Sequence, residues 1–401
     1  MKKLLRSKNF RLLSEATTIS SIGDSLYSLA ITLSIYHITG SIFGIALMWL
    51  IRAIIRIPCQ AIAGYIVDKY NRKNVSILVY LISAVLMLAF FFMEGKTIIA
   101  AYVVIFLLQG ISDVDNMAQY GIMQIVVNRE ELEQANSIFS VLGTIVMLIG
   151  PGVGGFIYLK AGREILYLID AITFIIAAII IAQINYQEVE RKVREFTLFS
   201  YAKKGICEIK KMPVIKSIII TTSFCGILGR VFEINKVFVV NDKLSVGDIG
   251  LVYLSYAMTI GSILAPLVVK LVKKNNASDS LKYTVFSMAL IVSFAIWGFA
   301  PNIFVSLLAC AMIGFFETIT AIMKNVIFQK DVDRAVFGFV MAFNRIIMVL
   351  SAIIGIVLTP ALTEKIGVGM TLAIVCFLAL ISLVVFFLKS NQEGIVGNSQ
   401  L

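Results

Sequence analysis

Uninterrupted apolar runs of about 20–28 residues, each closed by a short polar break, recur along the whole of this chain. An α-helix of about 20 residues crosses the roughly 30 Å hydrocarbon layer of a bilayer, so every run is long enough to span it. The runs fall at 10–38, 43–67, 75–93, 98–127, 135–159, 165–186, 214–240, 246–271, 283–299, 303–328, 335–362 and 368–388. Lipid offers the backbone no hydrogen bonds, which leaves helices or closed barrels as spanning structures. Barrel strands would alternate polar and apolar residues in segments of about ten, whereas these runs are continuous. The expected fold is therefore an all-α integral membrane protein of about twelve transmembrane helices. Composition points the same way: 59% of residues are hydrophobic, 15% are charged and the mean hydropathy is +0.93. Soluble domains are roughly 45–50% apolar and about 25% charged.

The longest polar stretch, 187–213, lies near the midpoint and is basic, with Arg191, Lys192, Arg194, Lys210 and Lys211. It divides the chain into an N-terminal six-helix bundle at 1–186 and a C-terminal one at 214–389, with a tail at 390–401. The equal span numbers suggest a duplication, although the two halves give no convincing alignment and the intervals alone carry it. Basic residues set the orientation. With the N-terminus inside, about 24 of the 35 Lys and Arg lie on the cytoplasmic side, among them Lys2, Lys3, Arg6, Lys8 and the turn after the second run. Both termini, the central linker and the tail are then cytoplasmic. The same bias accounts for the net charge of +11, which is spread over loops between spans rather than gathered on a nucleic-acid-binding face. The first run follows basic residues as a secretory signal would. It is too long for a signal core and carries Glu15 and Asp24, so it reads as the first span. The 5 cysteines (Cys59, Cys207, Cys225, Cys310 and Cys376) have no ligand-like spacing, and neither a disulfide nor a metal is expected.

Between the second and third spans stands Gly64-Tyr65-Ile66-Val67-Asp68-Lys69-Tyr70-Asn71-Arg72-Lys73. The fifth span carries Gly150-Pro151-Gly152-Val153-Gly154-Gly155. The loop resembles the signature of the major facilitator superfamily, Gly-x-x-x-Asp-Arg-x-Gly-Arg-Lys. The fifth-span string is similar to the Gly-Pro-x-x-Gly-Gly element of that family's exporters, and the drug and macrolide efflux branch is the part of the family it resembles. Gly64, Asp68, Arg72 and Lys73 match the loop; Lys69 replaces an Arg and Asn71 a Gly, Asn being tolerant of left-handed backbone. The resemblance implies two six-helix bundles rocking about a central cavity, with the loop as a cytoplasmic latch that forms in one state and breaks in the other. It also implies a monomer in the plasma (inner) membrane. On physical grounds alone the cations of the loop could simply anchor topology. The glycines of the fifth span allow close helix packing, and Pro151 removes a backbone hydrogen bond and can bend the helix. One family feature is missing: three residues before Gln109-Gly110, where proton-coupled members often carry Arg, this chain has Phe106. The corresponding loop of the second half, around 270–274, is degenerate.

Ionisable residues inside the spans cost about 2.5–3.5 kcal/mol each at mid-membrane, and they rarely face lipid. They are Glu15, Asp24, Arg52, Arg56, Asp113, Asp115, Asp170, Arg230, Glu233, Lys236, Glu317, Lys324 and Arg345. Asp24, mid-way along the first span in Ser21-Ile22-Gly23-Asp24-Ser25, is the leading candidate for a proton-carrying or substrate-binding acid. The plainer alternative is a permanent pair with Arg52 or Arg56. Glu233 shares a helical face with Arg230 and Lys236 and is either a second such site or a local ion pair. Asp113, four residues after Gln109, and Glu317, beside Phe315 and Phe316, complete the candidates. Asp115, two positions from Asp113, points another way. No phosphate-binding loop, catalytic triad or metal-ligand set stands out, so neither an enzyme, an ATP-driven pump nor a cofactor is expected. The expected function is secondary export of small amphiphilic or cationic compounds, such as drugs or antibiotics, by proton antiport and alternating access. The partners are the substrate, protons and the bilayer. Uptake of a small nutrient is the rival within transport, and a non-transporting receptor is the rival outside it.

Overall fold

A computed structural model describes residues 4, 6–93, 98–128, 131–186, 212–272, 278–332 and 337–398. The central basic linker, Cys207 and the degenerate loop around 270–274 lie largely or wholly outside it, as do the surroundings of Gly64 and the side chains of Asp68 and Arg345. The described residues are helical almost throughout, with no strand among them. In chain order the helices are α1 (Lys8–Thr39), α2 (Ile42–Lys69), α3 (Arg72–Met93), α4 (Ile98–Val126), α5 (Leu132–Ala161) and α6 (Glu164–Ala182). After the linker come α7 (Pro213–Phe238), prolonged by a π-helical turn (Val239–Lys243), then α8 (Ile249–Val272), α9 (Asp279–Gly298) and α10 (Ile303–Asp331). The last continuous stretch, Phe337–Asn398, is two helices, because Gly367 interrupts it at φ 79° and ψ 164°; they are α11 (337–366) and α12 (368–398).

The turns between helices follow from local chemistry. Gly40 closes α1 at φ 54°, a left-handed value that glycine adopts without a Cβ clash. Ser41, Ser278 and Asn302 then cap α2, α9 and α10, each side chain accepting a backbone N–H of the first turn. Asn71 departs from the sequence expectation. Among the described residues Ser245 is the non-glycine with positive φ. Asn71 is not left-handed; its Oδ1 accepts the Asn74 N–H at 3.1 Å and so caps the start of α3. Side-chain capping, rather than tolerance of a left-handed turn, accounts for Asn at this position.

The chain divides into two compact units, Met1–Glu195 and Phe196–Leu401. In the first, α1 packs on α5, α6 and α4, α2 packs on α4, and α3 packs on α4 and α6. In the second, α8 packs on α10 and α9 on α10, while α7 meets α11 at Gly355 and α12 through Thr221 and Ser382. α9 meets α12 where the Tyr283 and Phe386 rings stand 5.2 Å apart. Each pairing in the second unit therefore repeats one found six helices earlier, a duplication that sequence comparison of the halves does not reveal. Large apolar side chains point outward, among them Phe304 at 78%, Ile99 at 71% and Phe92 at 68% exposed, as a surface solvated by lipid tails requires.

Nine stretches of the described residues are apolar and long enough to cross a membrane, and the last, Ile346–Leu388, covers both α11 and α12. α1 is not among them: its serines, threonines and charges lower its hydropathy, and one of those charges, Asp24, lies at the site described next.

Candidate functional site

In the first unit Asp24 sits on α1 and is exposed, while its neighbour Gly23 is buried. Gly23 is required there by close approach. A Cβ at this position would fall on the Thr173 hydroxyl and the Asp170 carboxylate of α6. On the opposite side of the same turn, a Cβ on Gly150 would fall on Ser25 Oγ, and one on Gly154 would come within 3.0 Å of Leu26 Cδ2. The glycines of the fifth span thus let α5 close against α1 one residue away from Asp24. Gly155 is buried beside them, and α5 stays helical through Pro151.

Arg52 of α2 is the cation that acts electrostatically on Asp24, yet the two form no salt bridge among the described residues. The Arg52 guanidinium lies instead over the rings of Tyr27 and Trp49, at 5.7 Å and 5.5 Å from their centroids. Arg56, one turn further along α2, is taken up by Asp113: Nε stands 3.6 Å from Oδ1, with the carboxylate 7% and the arginine 53% exposed. In this structure neither arginine forms a salt bridge with Asp24 among the described residues, and Asp113 is the acid that Arg56 partners.

Two further acids of the first unit have no cation bonded to them among the described residues. Asp115 of α4 is 8% exposed and accepts hydrogen bonds from Ser76 Oγ at 3.1 Å and from Gln119 Nε2. Gln119 also donates to Tyr80 Oη at 2.9 Å and accepts from Thr17 Oγ1 at 2.8 Å, so the network joins α1, α3 and α4. Asp170 of α6 is 1% exposed; Thr173 Oγ1 donates to its Oδ1 at 3.3 Å, and its Oδ2 is buried with no hydrogen-bond partner among the described residues. Neither was singled out as a site residue from sequence. The signal available was their position in apolar runs, but helical spacing could not tell which acid the arginines would neutralise.

At the expected cytoplasmic end, the signature loop is fastened to its own unit. Arg72 is 2% exposed and its Nη1 donates to the Gly121 carbonyl at 3.2 Å. Gly121 has to be glycine, since a Cβ would meet the Arg72 side chain within 2.6 Å of Nε. Lys73 Nζ donates to the Ile184 carbonyl at 2.8 Å, and its N–H donates to Tyr186 Oη at 3.1 Å, so it ties α3 to the end of α6 where the linker begins. Lys69 Nζ donates to Tyr65 Oη at 3.0 Å on its own helix.

In the second unit Glu233 and Lys236 of α7 form a salt bridge of 2.7 Å, the two side chains 21% and 22% exposed. Glu317 of α10 is exposed and lies within the electrostatic reach of Glu233 and Arg230. α8 and α10 cross with backbones nearly touching: a Cβ on Gly261 would fall on the Ala311 carbonyl oxygen, and one on Gly314 on that of Met258.

Known proteins share this fold. The Major Facilitator Superfamily profile matches residues 13–355. A relative from Bacillus subtilis (strain 168) named "Putative bacilysin exporter BacE" is 23% identical over 347 residues, covering 84% of this chain and 86% of the relative. Its counterpart from Bacillus amyloliquefaciens is 25% identical over 365 residues, 89% of this chain and 87% of that one. Among solved structures, the POT family transporter PepTSo superposes with a TM-score of 0.74 at 9% identity, over 97% of this chain and 99% of its own. The nucleoside transporter NupG does so with a TM-score of 0.67 at 14% identity, over 94% and 98%. The chain belongs to the Major Facilitator Superfamily and is a multi-pass transporter of the plasma membrane.

Proposed function

We propose that the protein exports a small amphiphilic compound bearing a cationic group, in exchange for protons, with Asp24 as the acid that proton and substrate share. The observation that carries this reading is the state of Asp24: a mid-span carboxylate, exposed and without a salt bridge among the described residues, on a helix locked to α5 by the exporter-type glycines. A charge is costly at such depth unless it meets water, a counter-charge or a proton. An acid that alternates between a proton and a bound cation satisfies that requirement in both states, which is the elementary event of antiport. Relatives named as exporters support the direction of transport. Glu317, exposed on α10, is the available acid of the second unit, and Glu233, held by Lys236, serves as its neutralised neighbour. The loop with Gly64, Asp68, Arg72 and Lys73 is the cytoplasmic gate element in this reading. Arg72 and Lys73 keep it rigid on its own unit.

The test uses everted vesicles acidified inside by respiration and loaded with a pH-sensitive dye. A cationic dye, a macrolide and a dipeptide are added in turn. Loss of luminal protons on addition of any of them, abolished by Asp24→Asn, is the expected result. Proton loss that survives the substitution would remove Asp24 from the coupling path. Accumulation of a substrate by intact cells, in place of extrusion, would establish uptake instead.

A further inference from the structure

On the first unit, the α1–α2 face has an unusual charge balance. Arg56 and Asp113 neutralise each other at 3.6 Å. With Asp115 and Asp170 buried behind it, Asp24 is the one exposed acid of these three, and Arg52 is the base close enough to act on it through space without being joined to it as a pair. Asp24 is exposed and Arg52 half-buried, and both lie well inside their spans. Beside them are two flat aromatic surfaces, Tyr27 and Trp49, that already hold the guanidinium.

A ligand carrying only positive charge would gain Asp24 and be repelled by Arg52. One carrying only negative charge would meet the reverse. Desolvating either protein charge without a partner is expensive at this depth. A molecule with an ammonium and a carboxylate leaves neither unpaired, and guanidinium is suited to a carboxylate because its planar fork can give two parallel hydrogen bonds. We propose that this face recognises a zwitterion of amino-acid or short-peptide kind, its ammonium at Asp24, its carboxylate at Arg52 and its side chain against Trp49. The proposal rests on the reading of Asp24 as the substrate-sharing acid and narrows the substrate class from cationic to zwitterionic.

The chain provides its own reporter. It has 2 tryptophans; Trp297 is fully buried in α9 of the second unit, whereas Trp49 is half-buried and stacked with Arg52. The experiment titrates the purified full chain in lipid nanodiscs and follows tryptophan emission, with Trp49→Phe as the blank. The probes are alanylalanine, its N-acetyl form, its C-terminal amide and tetraphenylphosphonium. Alanylalanine is expected to change Trp49 emission saturably, and each capped form to bind at least about tenfold more weakly, as in sites built around a polar group of the ligand. In Asp24→Asn the free and acetylated peptides should bind alike while the amide remains disfavoured. In Arg52→Gln the free peptide and the amide should bind alike, and Arg52→Lys should restore part of the preference. These comparisons are made within one variant, so a general loss of folding cannot mimic them. Binding of tetraphenylphosphonium alone, equal binding of free and capped peptides, or no response to any probe would overturn the proposal. Binding of alanylalanine without proton-coupled extrusion in vesicles would leave the zwitterion site standing and remove the antiport reading.

Discussion

The two units share one plan of helix pairing and distribute the charges within their spans differently. In the first, three acids on α1, α4 and α6 (Asp24, Asp115 and Asp170) have no cation bonded to them among the described residues, and hydroxyls and an amide serve Asp115 and Asp170 instead. In the second, α7 neutralises its own acid, Glu233, with Lys236 three residues on. The helix–helix contacts differ in the same spirit. The α8–α10 crossing is a backbone-on-backbone fit at Gly261 and Gly314, while its counterpart between α2 and α4 places Gly110 against a movable side chain, with Cys59 Sγ 3.0 Å from a Cβ built there. A duplicated scaffold thus fixes where helices meet, and the residues at each meeting place decide whether that spot is rigid, neutral or chemically available.

Substitutions at matched positions break or sharpen this contrast. The largest effect is expected at the glycine crossings. Gly314→Val forces a branched side chain onto a main-chain carbonyl that has no freedom to turn away, so it should exceed the usual overpacking cost of about 1–3 kcal/mol and abolish recovery of folded protein. Gly110→Ala meets only a thiol and should cost no more than about 1 kcal/mol; thermal unfolding in detergent measures both. If the two fall equally, the crossings are not different in kind. Next comes function. Asp24→Asn should reduce substrate-driven proton flux to the vesicle background, whereas Glu317→Gln, at the exposed acid of α10 in the second unit, should lower it and not abolish it. Equal loss would make the two units equivalent in coupling.

Stability of the buried charges separates the units more finely. Glu233→Gln strands Lys236, and because both side chains are about a fifth exposed, water relieves part of the penalty and leaves about 1–2 kcal/mol. Asp115→Asn can keep its oxygen for the Gln119 N–H and donate its own N–H to the Ser76 hydroxyl, so it should change stability by less than about 1 kcal/mol. Chemical denaturation of the helical signal distinguishes these values. A comparably small effect is expected at the loop: Lys73→Ala removes one hydrogen bond to the end of α6, worth about 0.5–1.5 kcal/mol. It should also speed proteolysis of the 187–213 linker. Unchanged cleavage would show that the clasp does not govern the linker.

Sequence alone settled the class of molecule, the positions of its helices and its family. The reason is that a backbone in lipid must close its own hydrogen bonds, so a long apolar run has essentially one structure open to it. The signature residues 64–73 and 150–155 were legible for the same reason, being local strings whose spacing is their meaning. What tertiary structure alone decided is which charges meet. Asp113 and Asp115 are two positions apart, yet one is held by Arg56 and the other by Ser76 and Gln119. Gly23 and Gly121 are glycines because of Asp170 and Arg72, residues 147 and 49 positions away that no helical period connects to them. Whether a membrane acid is neutralised or left available depends on the few ångströms between packed helices, and that distance is a property of the fold.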